Sequence, residues 1–408
     1  MEKIKGGITA ASGFKAGGIS AGLKKESMLD LALIQSDVPA TAAIVTTTNA
    51  VKAAPVTWDT NIVKKNHTLR AIIANSGNAN ACTGEQGLKN VEQEARSVAM
   101  ELDCKIEEVA VASTGVIGVD LPINKITTVI PFLAQSISSD SKGSDCASRA
   151  ILTTDLVPKV FSVSTTINGK KIHIGGIAKG SGMICPNMAT MLSFITTDAS
   201  ISYDCLQTIL TNTVQNTYNM MSVDGDMSTN DTVLVLANGV AGNSEIISPS
   251  SQEYQIFEEA FYHVNEVLAK SIVKDGEGAT KFIQVSVYEA DSEKNAKTLA
   301  KSVVKSNLVK TAFFGEDANW GRVLSSIGAS GVPFKPENVS LSFKNNAGNV
   351  SLLKKGRPAK FEEEDANAIL KEKNIEIEIF MGMGHAKAKS WGCDLSYEYV
   401  KINGEYRT

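Results

Sequence analysis

Thr190 stands where a chain could cut itself and put the new end to use. It follows Lys179-Gly-Ser-Gly-Met-Ile-Cys-Pro-Asn-Met-Ala189, a run of Gly and small residues with a Pro that reads as a tight loop. It opens Thr190-Met-Leu-Ser-Phe-Ile-Thr-Thr-Asp198, which is apolar and β-branched and reads as a buried strand. Breaking the Ala189–Thr190 bond would free an α-amine beside the Thr190 hydroxyl. Such an amine can serve as general base for its own side chain, which activates an otherwise weak nucleophile. A lone threonine at this kind of junction ordinarily does no more than start a strand; the whole segment is what points to chemistry.

Acyl transfer also needs donors aimed at the negative oxygen of a tetrahedral intermediate. Val109–Ser113 reads as a strand that runs into Thr114-Gly115-Val-Ile-Gly118, and a glycine at such an edge lets a backbone N–H approach a ligand closely. By themselves these residues make a strand-end turn, and with no Lys-Ser/Thr following they do not form a phosphate loop. Asp275-Gly-Glu277-Gly puts a carboxylate in a loop after a long helix. Asp224-Gly-Asp226-Met-Ser228-Thr-Asn230-Asp231 has the look of a calcium loop but lacks the glycine at its sixth position and the acid at its twelfth. It reads instead as a polar turn near the reacting residues. The four histidines do not cluster with each other or with cysteine, so no metal pattern emerges.

The Thr190 segment resembles the signature of the ornithine acetyltransferase (glutamate N-acetyltransferase) family, close to Lys-Gly-Ser-Gly-Met-Ile-Ala-Pro-Asn-Met-Ala-Thr-Met-Leu. Cys185 stands where that pattern usually has Ala. The likeness runs from Gly6-Gly-Ile-Thr-Ala10 to the last residue. It includes Asn75-Ser-Gly-Asn-Ala-Asn-Ala-Cys-Thr-Gly84, Gly315-Glu-Asp-Ala-Asn-Trp-Gly321 and Trp391-Gly-Cys-Asp-Leu395.

The resemblance implies a precursor that cuts itself between Ala189 and Thr190 into fragments 1–189 and 190–408, which stay together. It implies that Thr190 carries an acetyl group from N2-acetylornithine to glutamate, and that the Thr114 hydroxyl and Gly115 N–H form the oxyanion hole. Lys179 would pair with a substrate carboxylate and Glu277 with the ornithine side-chain amine. A substrate-contacting threonine falls on Thr153 or Thr154, the adjacent pair leaving both open, and Asn403 and Thr408 would reach the substrate from the end of the chain. No metal or redox cofactor is implied. Acetyl-CoA is a co-substrate for some members, and two copies of the cleaved pair would make a heterotetramer. Two other readings share these residues. One is an amidohydrolase or aminopeptidase of related self-cleaving architecture, in which water resolves the acyl-enzyme. The other is an uncleaved binding protein for amino acids.

At 408 residues the chain is long enough for two domains or one large one with a substantial core. Net charge is −4 with no Lys/Arg run, which argues against a nucleic-acid footprint. Val129-Ile-Pro-Phe-Leu133 is too short and interrupted to span a membrane. Met1–Ala10 has no apolar core of the secretory kind. Six scattered cysteines without a CxxC pair suggest free thiols in a reducing compartment, and the expected location is the cytoplasm.

Strand patterns fall at Ala42–Thr47, Arg70–Asn75, Glu108–Ser113, Phe161–Ile167, Met191–Thr197, Thr232–Leu236, Phe282–Glu289, Val339–Phe343, Ile375–Phe380 and Tyr397–Ile402. Helical patterns fall at Gly87–Leu102, Asn124–Ile137, Asp204–Met220, Gln252–Val273 and Leu299–Val309. In the longest, Phe257, Phe261, Val264 and Leu268 make a buried stripe. The charged Lys354–Asp365 stretch reads as a solvated turn entering a helix. This mixture predicts an α/β (α+β) layered sandwich, and the family resemblance adds two lobes of an N-terminal-nucleophile-like enzyme.

Overall fold

The computed structural model describes residues 1–25, 28–185 and 191–405. Ala189, Thr190 and Thr408 lie outside the described residues. Two mixed sheets flanked by helices carry the fold, in keeping with the layered α/β reading. The first sheet runs in the order Glu2–Lys3, Lys159–Ile167, Lys170–Lys179, Leu192–Thr197, Thr232–Ala237, Leu31–Thr46, Thr68–Asn78, Val109–Val116. Leu31–Thr46 is long enough to bend at an irregularity between Gln35 and Ala40. Its first half pairs with Phe14–Ile19 and its second with Thr232–Ala237. The second sheet is ordered Arg357–Pro358, Gly348–Lys354, Ser340–Asn345, Asn374–Phe380, Phe282–Ala290, Ala386–Cys393, Met221–Ser222.

Lys170–Lys179 and Leu192–Thr197 are antiparallel neighbours, with Lys179 opposite Leu192. The chain before residue 186 and the chain after residue 190 therefore contribute adjacent strands to one sheet. Helix Gln252–Lys274 joins the two layers. It packs against Lys159–Ile167 and Lys170–Lys179 of the first sheet and against Ala386–Cys393 of the second. Phe257, Phe261, Val264 and Leu268 are all buried, as their spacing predicts. Tyr254, Ala260, Asn265 and Ile272 are buried as well, as expected of a helix held between layers rather than resting on one.

Two elements depart from the sequence reading. Leu299–Val309 is not one helix but the junction of Glu293–Lys305 and Asn307–Phe314. Ser306 takes an extended backbone there and caps the second helix by accepting the Val309 N–H at 3.3 Å. Tyr397–Ile402 is not a strand; Tyr397–Glu405 is a helix with no buried residue. Its aromatic and β-branched residues favour a strand in isolation, but a strand needs a partner edge to supply its hydrogen bonds. As a helix, the i,i+4 pair Tyr399 and Asn403 lies on one side, and Asn403 Nδ2 donates to the Tyr399 carbonyl at 3.0 Å.

Val109–Val116 is an edge strand, and side chains rather than another strand satisfy its open side. Trp58 Nε1 donates to the Val109 carbonyl at 3.0 Å, Asp59 Oδ1 accepts the Val111 N–H at 2.8 Å, and Asn230 Nδ2 donates to the Ser113 carbonyl at 2.8 Å. These bonds fix the strand end from which Thr114 and Gly115 project.

Behind that strand, helix Gly84–Leu102 buries Glu94 completely, and neither carboxylate oxygen has a hydrogen-bond partner. Burial pushes its carboxyl up to about 8. Nearby Asp59 is also raised well above the usual carboxylate range, first by burial and further by Glu94, against the pull of the Val111 N–H. The native state thus keeps a proton on Glu94 that the unfolded chain releases near pH 4.3. Its contribution is full below that pH and is lost as pH rises toward about 8, at about 1.4 kcal/mol per pH unit. Glu94→Gln is expected to flatten this fall, by an amount on the order of 3–5 kcal/mol between pH 5 and 8. Melting temperatures of both proteins across that range test it, and parallel pH dependences would refute it.

Candidate active site

A cleft of about 210 Å³ gathers residues far apart in sequence. Its lining includes Thr114, Gly115, Thr153, Thr154, Lys179, Glu277 and Asn403, together with Gly182, Met183, Asp224, Asp226, Asn230 and Tyr399. Every proposed site residue that is described faces this one space. Ala189, Thr190 and Thr408 cannot be assigned positions in it, since they fall outside the described residues.

Gly115 is required by the backbone. Its φ is +134°, and a Cβ there would lie 2.4 Å from the Gly77 carbonyl carbon and 2.5 Å from the Asn78 nitrogen. Gly77 is its partner in the neighbouring parallel strand. The Asn75–Gly84 motif, which had no role in the sequence, thus provides the close backbone approach that Thr114 and Gly115 need to stay paired in the strand. Asn75 Nδ2 braces it by donating to the Asn78 carbonyl at 2.9 Å.

Lys179 is 2% exposed, and its Nζ donates to Thr153 Oγ1 at 2.8 Å and to Thr114 Oγ1 at 3.3 Å. Because Thr114 Oγ1 accepts from Lys179, its own proton is directed elsewhere and can be donated. Of the adjacent threonines, Thr153 is the one engaged by Lys179, while Thr154 also lines the cleft. Burial lowers the Lys179 pKa, partly offset by Asp155.

Below Lys179 lies a buried ion cluster that sequence reading missed. Lys159 donates to Asp155 and, at 2.5 Å, to Asp275 Oδ2. Asp155 also accepts the Gly180 N–H at 2.7 Å, and Asp275 accepts the Leu156 N–H at 3.0 Å. Burial opposes ionisation of Asp155, but Lys179 and Lys159 outweigh it and hold the carboxyl down at about 2. Buried charges are tolerable only when paired and hydrogen-bonded in this way. The cluster ties the Lys179–Gly182 loop to the 275–277 turn, and the Ser181 hydroxyl adds a 2.6 Å bond to the Asp275 carbonyl. The only hint in the sequence was the i,i+4 acid–base spacing of Asp155 and Lys159.

Glu277 lies against Gly182, where a Cβ would come within 2.3 Å of its carboxylate. The Glu277 N–H donates to the Ser181 carbonyl at 3.0 Å, and Asn403 Nδ2 donates to Glu277 Oε2 at 2.7 Å. The C-terminal helix thus reaches the cleft through Asn403 and Tyr399. The cleft holds a cation, Lys179, on the Thr114 side and a carboxylate, Glu277, on the Asn403 side. That polarity suits an α-amino acid carrying a second charged group.

The model of the ArgJ family matches residues 15–408. The chain belongs to the ArgJ family. Within this family, the arginine biosynthesis bifunctional protein ArgJ of Caldanaerobacter subterraneus subsp. tengcongensis is 50% identical over 408 residues, covering 100% of both chains. The ArgJ protein of Thermotoga neapolitana is 49% identical over 397 residues, covering 97% of this chain and 99% of its own. Among solved structures, ArgJ of Bacillus halodurans is 44% identical with a TM-score of 0.51, covering 53% of this chain and 100% of that chain. No helix among the described residues is long and apolar enough to cross a membrane, and all six cysteines are free.

Proposed function

We propose that this chain is a glutamate N-acetyltransferase of arginine biosynthesis that moves the acetyl group of N2-acetylornithine to glutamate through an acetyl-threonine. The observation that carries the reading is the cleft itself. Thr114, Gly115 and Lys179, from before the 189/190 bond, share it with Glu277 and Asn403, from after that bond. Membership of the ArgJ family supports the same reaction.

The chain first cuts itself between Ala189 and Thr190. In the B. halodurans relative, a whole chain aligns with 53% of this one, close to the share from Thr190 onward, which supports such a division. The Thr190 amine then takes the proton of its own Oγ as Oγ attacks the acetyl carbonyl. The resulting oxyanion is held by the Thr114 hydroxyl and the Gly115 N–H. Ornithine leaves with the proton, and an acetyl-Thr190 ester remains. The amine of glutamate attacks this ester, gives N-acetylglutamate and restores Thr190.

Lys179, whose Nζ bonds Thr153 and Thr114 and lies 3.9 Å from Asp155 Oδ2, takes the substrate α-carboxylate with Thr153 beside it. Glu277, steadied by Asn403, takes the ornithine side-chain ammonium, and the family resemblance gives Thr408 a substrate contact. The acetyl group needs no metal or redox cofactor. Acetyl-CoA serves as a second donor, two cut pairs form the heterotetramer, and the free thiols suit the cytoplasm.

Purified protein incubated with N2-acetylornithine should form N-acetylglutamate, equal in amount to the ornithine released, only when glutamate is present. Its mass under denaturing conditions should resolve into two fragments meeting at Ala189 and Thr190. Acetate release independent of glutamate would replace the transferase with the hydrolase reading, and an active uncut chain of 43.3 kDa would overturn self-processing.

A further inference from the structure

Glu277 stands in a turn whose sequence gives it little stiffness of its own. Gly276 and Gly278 flank it, and Gly278 has a φ of +66°. Glycine leaves the backbone more conformational freedom than any other residue. The place of the Glu277 carboxylate in the cleft must therefore be set by what holds the two ends of the turn. The leading end is tied through the Asp275 carboxylate to Lys159 and through the Asp275 carbonyl to Ser181. The trailing end is gripped by Asp394. Its Oδ1 accepts the Thr280 and Lys281 N–H groups, each at 2.8 Å, and its Oδ2 accepts the Thr280 hydroxyl at 2.5 Å.

Asp394 is buried, and a carboxylate, which only accepts, suits the three donors that converge on it. Its own backbone is pinned from behind. Buried Lys310 donates its Nζ to the Cys393 carbonyl, and the Leu395 N–H donates to the Lys310 carbonyl at 3.3 Å. Further along, the Ser396 hydroxyl donates to the Gly278 carbonyl at 2.6 Å, and Asn403 reaches Glu277 itself. The stretch from Asp394 to Asn403 thus follows the Glu277 turn. Lys281 carries the hold outward, its Nζ donating to Glu316 Oε1 at 3.0 Å and to the Leu370 carbonyl at 2.6 Å. The Trp391–Leu395 and Gly315–Gly321 motifs, neither of which had a role in the sequence, meet where this turn ends.

We propose that Asp394 is a positioning residue that sets Glu277 for the side-chain ammonium of the acetyl donor. It lies outside the described lining of the cleft and acts on it from behind the turn, touching no substrate. A displacement of about 1 Å in a positioning group can cost as much as 10²-fold in rate. The effect should fall on one substrate. The donor carries a side-chain cation that Glu277 can hold, whereas the side chain of glutamate is an anion and gains nothing from that carboxylate. In a two-step route, kcat/KM for N2-acetylornithine reports the first half-reaction and kcat/KM for glutamate the second. This inference rests on the reading above in which Glu277 takes the ornithine ammonium.

Asp394→Ala removes all three bonds, while Asp394→Asn keeps an oxygen for the two N–H groups and an NH2 that can donate to the Thr280 hydroxyl. The alanine variant should lower kcat/KM for N2-acetylornithine by about 10–100-fold and leave that for glutamate within about threefold of the parent. The asparagine variant should restore the first value to within about threefold of the parent. Glu277→Gln should show the same selective loss. Adding Asp394→Ala to it should cost no more than about threefold further, because both act through one carboxylate. If the alanine chain does not fold, Thr280→Val, which loses only the hydroxyl bond, should give a selective loss of about three- to tenfold. Equal losses for the two substrates, no recovery with asparagine, or full additivity in the double variant would overturn the proposal. A Glu277→Gln enzyme without selective loss for the donor would instead overturn the reading on which it rests.

Discussion

Thr190→Ala is expected to yield a single 43.3 kDa chain that transfers no acetyl group. In the proposed mechanism the same Oγ attacks the Ala189 carbonyl in the N-to-O shift that precedes cleavage and the acetyl carbonyl in the transfer. Removing it therefore abolishes both events, with transfer falling by more than about 10⁴-fold, as for other nucleophile deletions. Thr190→Ser keeps a hydroxyl on the same backbone and should still be cut. Denaturing mass spectrometry of the two variants is the check: a cut alanine variant would show that the chain is processed by something other than this hydroxyl.

Gly115→Ala should be nearly as damaging, for a different reason. The new methyl would fall 2.4 Å from the Gly77 carbonyl carbon and 2.5 Å from the Asn78 nitrogen, and both atoms are backbone and cannot rotate aside. The φ of +134° adds strain that a side chain rarely bears. The strand end must shift, and the 115 N–H would move off the oxyanion it is proposed to hold. Loss of one such donor lowers kcat by about 10²–10³-fold. Gly118→Ala is the control: its φ is +76°, but no heavy atom lies within 4 Å of the added methyl. A Gly115→Ala enzyme with parental kcat would remove this N–H from the mechanism.

The parts of the site that were legible in the sequence were those whose residue types are unusual where they stand: a small-residue loop ending in Ala-Thr, and a Thr-Gly pair closing a strand. Glu277 and Asn403 were reached through family resemblance, since a carboxylate in a loop or an amide near a chain end is unremarkable by itself. The Asp155–Lys159–Asp275 cluster was not legible, because Lys159 and Asp275 are separated by 116 residues and only the fold joins them. Strands with clear alternation, such as Ile375–Phe380, were readable from period alone. The Tyr397–Glu405 helix was not, because its side chains favour a strand in isolation and the absence of a partner edge is not visible in the sequence.

The pairing of Lys170–Lys179 with Leu192–Thr197 bears on the history of the molecule as well as its shape. In the intact chain these strands are tethered, and finding one another costs only the closure of a short loop. If the proposed cut severs the tether, the same pairing becomes an encounter between two separate polypeptides. Under that reading assembly belongs to the precursor, and separated pieces would have to meet in solution to rebuild the same sheet. The cut enzyme would then persist by how slowly the shared sheet opens, a kinetic rather than an equilibrium stability.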